Sequence, residues 1–82
     1  MKVRVNVKPK ATAVAIHTEY IKLQDFMKFA DILPSGGMAK NIVQDGLVSV
    51  NGEVCTMRGK KLRTGDTVTF EGKTWQVVSD ES

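Results

Sequence analysis

The 82-residue sequence is poor in the residues that most often do chemistry: it has one cysteine, one histidine, one tryptophan, one tyrosine and two prolines, and no long apolar run. Each shortage closes off a class of function. A single Cys55 cannot form an internal disulfide, and no spaced Cys and His pattern supplies the ligands of a zinc site, so a reducing cytoplasm is the expected setting. His17 lacks a recognisable partner for nucleophile activation or acid–base work, so no enzymatic activity is expected, and Cys55 reads as a small apolar strand residue. The most apolar segment, residues 11–16, is too short for a secretory core or a bilayer span, so neither export nor membrane insertion is expected. The glycine spacings around Gly36 and Gly59 match neither a phosphate loop nor a dinucleotide fingerprint. No cofactor or metal is called for.

What remains is an ordinary folded composition, 41% apolar and 26% charged, which argues against disorder. A chain of this length makes one domain that buries about 60% of its unfolded surface and has little room for a catalytic cleft. The net charge is only +3, but its distribution is uneven. Residues 1–40 carry seven basic and three acidic side chains, residues 41–57 only Asp45 and Glu53, and residues 64–82 one lysine against four acids. Between them Arg58, Lys60, Lys61 and Arg63 place four positive charges within six positions. Clustered cations are the electrostatic footprint of a polyanion ligand, since neutralising phosphates releases condensed counterions. The competing reading is a solvated charged loop.

Local patterning places these charges on a small frame. Val3, Val5 and Val7 alternate with polar residues before Pro9, which reads as an edge strand or a basic arm over residues 1–13. An extended segment is expected over 14–20. Leu23, Phe26, Met27, Ala30 and Leu33 recur at helical spacing, predicting a helix over 24–33 that Pro34 terminates, with Asp25 and Asp31 as solvated positions on it. Ser35 is an N-cap for a second helix whose apolar stripe is Met38, Ala39, Ile42 and Val43, with Lys40, Asn41 and Gln44 facing away. Gly46 ends it, and 47–50 is a strand closing on Asn51-Gly52, a strong hairpin signal, with a return strand over 53–57. A turn at Thr64-Gly65-Asp66 leads to strands over 67–71 and 74–78, reversed at Gly72-Lys73, with a frayed tail at 79–82. Phe26, Phe70 and Trp75 suit a small core, Phe29 is unassigned, and Tyr20 stands beside the basic residues without an assigned role.

Lys22-Leu23, Ser35, Ala39-Lys40, Gly46, Val48, Val50, Asn51-Gly52 and Gly65-Asp66 form an ordered constellation over 22–70 that resembles the S-four RNA-binding domain, or alpha-L motif. SGGMAK and RGKKL bring it nearest to the small stand-alone YaaA-type members. The resemblance implies an α+β domain over 14–78, with two principal helices packed on a small, mainly antiparallel sheet. It further implies a non-catalytic, monomeric protein binding structured RNA, above all ribosomal RNA in a subunit or assembly intermediate, with transfer RNA as another target. Lys22, Lys40, Arg58, Lys60, Lys61 and Arg63 would contact phosphates, with Lys28 a weaker candidate. The family's arginine at the second helix is Gly36 here, so Ser35, Gly36 and Gly37 would bring backbone donors to phosphate instead, or the glycine pair would merely ease a turn. The alternative from another class is a protein adaptor on a ribosomal or replication complex, and a weaker one is an accessory to an RNA-modifying enzyme.

Overall fold

A computed structural model describes residues 11–80; residues 1–10 of the edge strand or arm expected over 1–13, and residues 81–82 of the expected tail, lie outside them. In chain order the elements are β1 (Thr12–Ile16), β2 (Ile21–Lys22), α1 (Leu23–Phe29), α2 (Gly36–Gln44), β3 (Val48–Val50), β4 (Glu53–Val54), β5 (Lys61–Leu62), β6 (Thr67–Phe70) and β7 (Lys73–Ser79). Five strands form one sheet in the order β1-β7-β6-β3-β4, and β2 pairs with β5 in a separate two-stranded ladder. Among these strands only β1 runs parallel to its neighbour, with Val14 opposite Val77, whereas every other pairing is antiparallel. Two helices on a mainly antiparallel sheet is the α+β architecture expected from the sequence.

Strand alternation decides which side chains enter the core. Val48 and Val50, Val68 and Phe70, and Val77 are buried, while intervening residues such as Ser49 and Thr69 remain partly exposed, as a period of two requires. Leu23, Phe26 and Met27 of α1 and Ala39 and Val43 of α2 join the same cluster. Leu62, fully buried, anchors the small ladder to it. No polar or charged residue among those described is buried, so each large apolar side chain contributes about 1.5–3 kcal/mol by leaving water. Trp75 packs against this cluster, as expected, and Phe29 is exposed.

Several boundaries differ from the sequence expectations. The first helix ends at Phe29, not residue 33, because Asp31 adopts a left-handed φ of 60°. Its N–H donates to the Lys28 carbonyl at 3.0 Å and the following Ile32 N–H to the Met27 carbonyl at 2.9 Å, which is a Schellman stop. Pro34 lies beyond this stop, and Asp31 is the stop itself, not a position on the helix. On α2, Met38 is 45% exposed and drops out of the expected stripe, leaving Ala39 and Val43 inside and Ile42 half-buried. The return strand is only Glu53–Val54, after which Cys55 N–H still reaches the Val48 carbonyl at 2.9 Å before the chain leaves the sheet. The last reversal centres on Glu71 and Gly72, with φ of 53° and 80°, the paired positive values that a type I′ hairpin turn needs.

Candidate nucleic-acid interface

The basic segment after β4 folds back onto the start of α1. Lys22, the residue preceding α1, makes no side-chain cap, so the first N–H groups of the helix need partners from elsewhere. Leu23 N–H donates to the Lys60 carbonyl at 2.8 Å and Gln24 N–H to the Arg58 carbonyl at 3.0 Å. Alongside, Ile21 pairs with Leu62 and Lys22 with Lys61. Lys22 and Lys61 therefore stand directly opposite one another, a pairing that costs stability between like charges unless an anion offsets it. Lys61 Nζ also lies 4.9 Å from the centroid of the Tyr20 ring, which holds the ammonium on an aromatic face. Among the described residues, none of Lys22, Arg58, Lys60, Lys61 and Arg63 has a carboxylate within ion-pair distance, and all five are exposed.

Arg63 is placed by a different device. Its N–H donates to Asp66 Oδ2 at 2.8 Å, while Asn51 Nδ2 donates to Asp66 Oδ1 at 3.1 Å. Asn51 Oδ1 accepts from Thr67 N–H at 2.9 Å, and Asn51 N–H donates to the Thr67 carbonyl. The β3–β4 turn is thus bolted to the turn that follows the basic segment. The sequence marks both Asn51-Gly52 and Gly65-Asp66 as turns but carries no sign of their mutual bond, nor of the partnership between Tyr20 and Lys61.

The second set of expected residues lies on α2. Ser35 caps the helix as anticipated, its Oγ accepting from Met38 N–H at 3.3 Å. Gly36 and Gly37 supply the first two helical N–H groups, which have no partner among the described residues. A methyl group would meet nothing within 4 Å at Gly36, and at Gly37 only Ser35 Oγ at 4.0 Å. Neither glycine has a positive φ, so the turn into α2 does not require them. Lys40 is exposed one position after buried Ala39, and Lys28 is exposed in the last turn of α1. No hydrogen bond or ion pair among the described residues joins Ser35, Gly36, Gly37 or Lys40 to the basic segment. The structure therefore gathers Lys22 with Arg58, Lys60 and Lys61, and carries the glycine pair with Lys40 on a separate element.

The remaining chemistry-bearing side chains are peripheral. His17 Nδ1 lies 3.8 Å from Asp80 Oδ2 with both side chains largely exposed, and Cys55 Sγ faces the Met57 carbonyl at 3.7 Å. Among the described residues no His, Cys, Asp or Glu group is arranged to hold a metal, and no helix is long and apolar enough to cross a membrane.

Comparison with known proteins agrees with this architecture. The family model for the S4 domain matches residues 14–78. A Bacillus subtilis protein named "Probable ribosome maturation protein RlbA" is 46% identical over 70 residues, spanning 84% of this chain and 99% of that protein. Escherichia coli YbcJ is 37% identical over 60 residues, spanning 73% of this chain and 86% of YbcJ. The solution structure of YbcJ, described as revealing an alpha-L motif involved in RNA binding, superposes with a TM-score of 0.59 at 30% identity, covering 93% of this chain and 95% of YbcJ. These relatives are named for RNA binding or maturation and not for catalysis. With the match extending from β1 through β7, the chain belongs to the S4 domain family.

Proposed function

We propose that this protein is a non-catalytic RNA-binding protein that recognises structured RNA, principally ribosomal RNA in a subunit or assembly intermediate, in the cytoplasm. The observation that carries this reading is the juxtaposition of Lys22 and Lys61 across the β2–β5 ladder, with Arg58 and Lys60 tied to the start of α1. Unpaired like charges held side by side by the backbone are costly in an isolated protein and useful against a phosphate backbone. Ribosome maturation in the name of the B. subtilis relative and the RNA-binding motif described for YbcJ support the same reading.

Recognition is electrostatic and shape-based. An RNA duplex presents a shallow minor groove and a deep major groove that side chains read poorly, so a rigid ridge of cations follows phosphate geometry with little sequence readout. Arg58, Lys60, Lys61, Arg63 and Lys22 supply phosphate contacts, with Lys40 and the N–H groups of Gly36 and Gly37 after Ser35 extending them along α2. Crosslinking in cells followed by sequencing of the bound RNA tests the proposal. Enrichment of ribosomal RNA is expected, transfer RNA would redirect it, and nuclease-resistant copurification with a protein partner and no crosslinked RNA would replace it with an adaptor role.

A further inference from the structure

The β3–β4 hairpin forms one edge of the five-stranded sheet, and the chain leaving it bends back toward the basic segment. Between them lies an open groove of about 300 Å³ walled by Val54, Cys55 and Met57, with Glu53 and Thr56 adding polar groups and Lys60 shared with the cation cluster. Apolar side chains exposed singly need no explanation, but Val54 and Met57 are each 65% exposed and flank the same groove. Size and charge together select an occupant. The groove sits at the lower end of the roughly 300–1,000 Å³ of small-ligand pockets, enough for a ring-sized group, whereas a stable protein partner needs a contact on the order of 800 Å² on each side. Lys60 is fixed here through its carbonyl on Leu23 N–H, so whatever enters the groove lies in the field of the phosphate-binding cluster.

We infer that this groove takes one unpaired nucleobase of the bound RNA, an inference that rests on the RNA-binding function proposed above. The base lays its apolar faces against Val54 and Met57 while its phosphate stays with Lys60. The Glu53 carboxylate has no hydrogen-bond partner among the described residues and only accepts hydrogen bonds. It therefore selects base edges that present donors, and guanine, with adjacent imino and amino groups, matches its two oxygens best. Bases splayed from bulges and loops are the form in which RNA sequence is read, so the groove adds a readout that the cation ridge lacks.

The test compares binding of the full chain to a stem-loop RNA with one bulged guanosine and to the same stem without the bulge. The bulged RNA is expected to bind about tenfold more tightly, the order of effect that removing roughly 55 Å² of apolar surface from water contributes, and a bulged uridine should lose most of that advantage. Val54→Ser combined with Met57→Ser, both exposed positions, should abolish the preference while binding to the plain stem and the melting temperature persist. Equal affinity of the unmodified protein for both RNAs, or a preference that survives the double substitution, overturns the base site and leaves the RNA-binding reading standing. Failure of the unmodified protein to bind either stem overturns that reading and the inference with it. Loss of a copurifying protein in the double variant, with no bulge preference in the unmodified one, would assign the groove to a protein partner instead.

Discussion

Asn51 and Asp66 are fifteen positions apart in the chain, yet the Asn51 amide donates to the Asp66 carboxylate at 3.1 Å. The same carboxylate accepts the Arg63 N–H at 2.8 Å, so one side chain fixes a hairpin turn, a second turn and the end of the basic segment. Asn51 also sits at φ 53°, where a residue with a Cβ other than Asn or Asp is disfavoured.

Two variants separate these contributions. Asn51→Gly keeps the backbone conformation and loses the side-chain bonds, a cost of about 1–2 kcal/mol for hydrogen bonds of this kind. Asn51→Ala loses the same bonds and adds a left-handed penalty of about 1 kcal/mol, so it should melt lower than the glycine variant. Thermal unfolding of both decides the point: equal melting temperatures would mean that the φ value carries no cost.

Replacing Arg58, Lys60, Lys61 and Arg63 together with Ala should weaken binding to structured RNAs broadly without unfolding the domain. All four are exposed, and the buried Leu62 between them is untouched. With about four phosphate contacts, log affinity of the unmodified protein should fall against log salt with a slope of about −3, and the quadruple variant should flatten it. A folded variant that retains the slope would reject the cluster as the phosphate site.

Ala39 and Lys40 are adjacent on α2 but differ in burial, the first fully buried and the second exposed. Ala39→Asp forces an unpaired carboxylate into an apolar core and should destabilise the domain by several kcal/mol or prevent folding. Lys40→Ala should change stability by no more than about 0.5 kcal/mol. Melting curves in which both variants fall together would place Lys40 in the core contacts, against the structure.

The elements legible in the sequence are those whose signals are local. Ser35 as a cap, Gly46 in the left-handed conformation at φ 78° and Asn51-Gly52 as a hairpin turn each act within a few residues of their own position. The β2–β5 ladder is not legible, because a two-residue strand carries no periodicity and its partner lies far along the chain. Lys60-Lys61-Leu62 therefore reads as a charged loop, although Leu62 is a core residue and the Lys60 and Arg58 carbonyls complete α1. The end of α1 is obscured for a related reason: Pro34 is the louder signal, while Asp31 does the stopping in a conformation more often taken by Gly or Asn. The cations of the site are visible from charge alone, but their convergence on Lys22 depends on tertiary pairing.

The glycine pair at the start of α2 offers the sharpest separation of stability from binding. Both positions are helical and open, so Gly36→Ala and Gly37→Ala should each stabilise the domain by about 0.5–1 kcal/mol through helix propensity. If their N–H groups approach phosphate, the added methyl group stands between helix and RNA, and affinity should fall while the melting temperature rises. That opposite movement cannot come from damage to the fold. Gly36→Arg has the same open space and offers a guanidinium that grips phosphate bidentately, so it should tighten binding and steepen the salt dependence by about one contact. Titrations and melts on the three variants decide between contact and mere tolerance: alanine variants that are more stable and bind as before would leave recognition to Lys22, Lys40 and the cluster around Lys61.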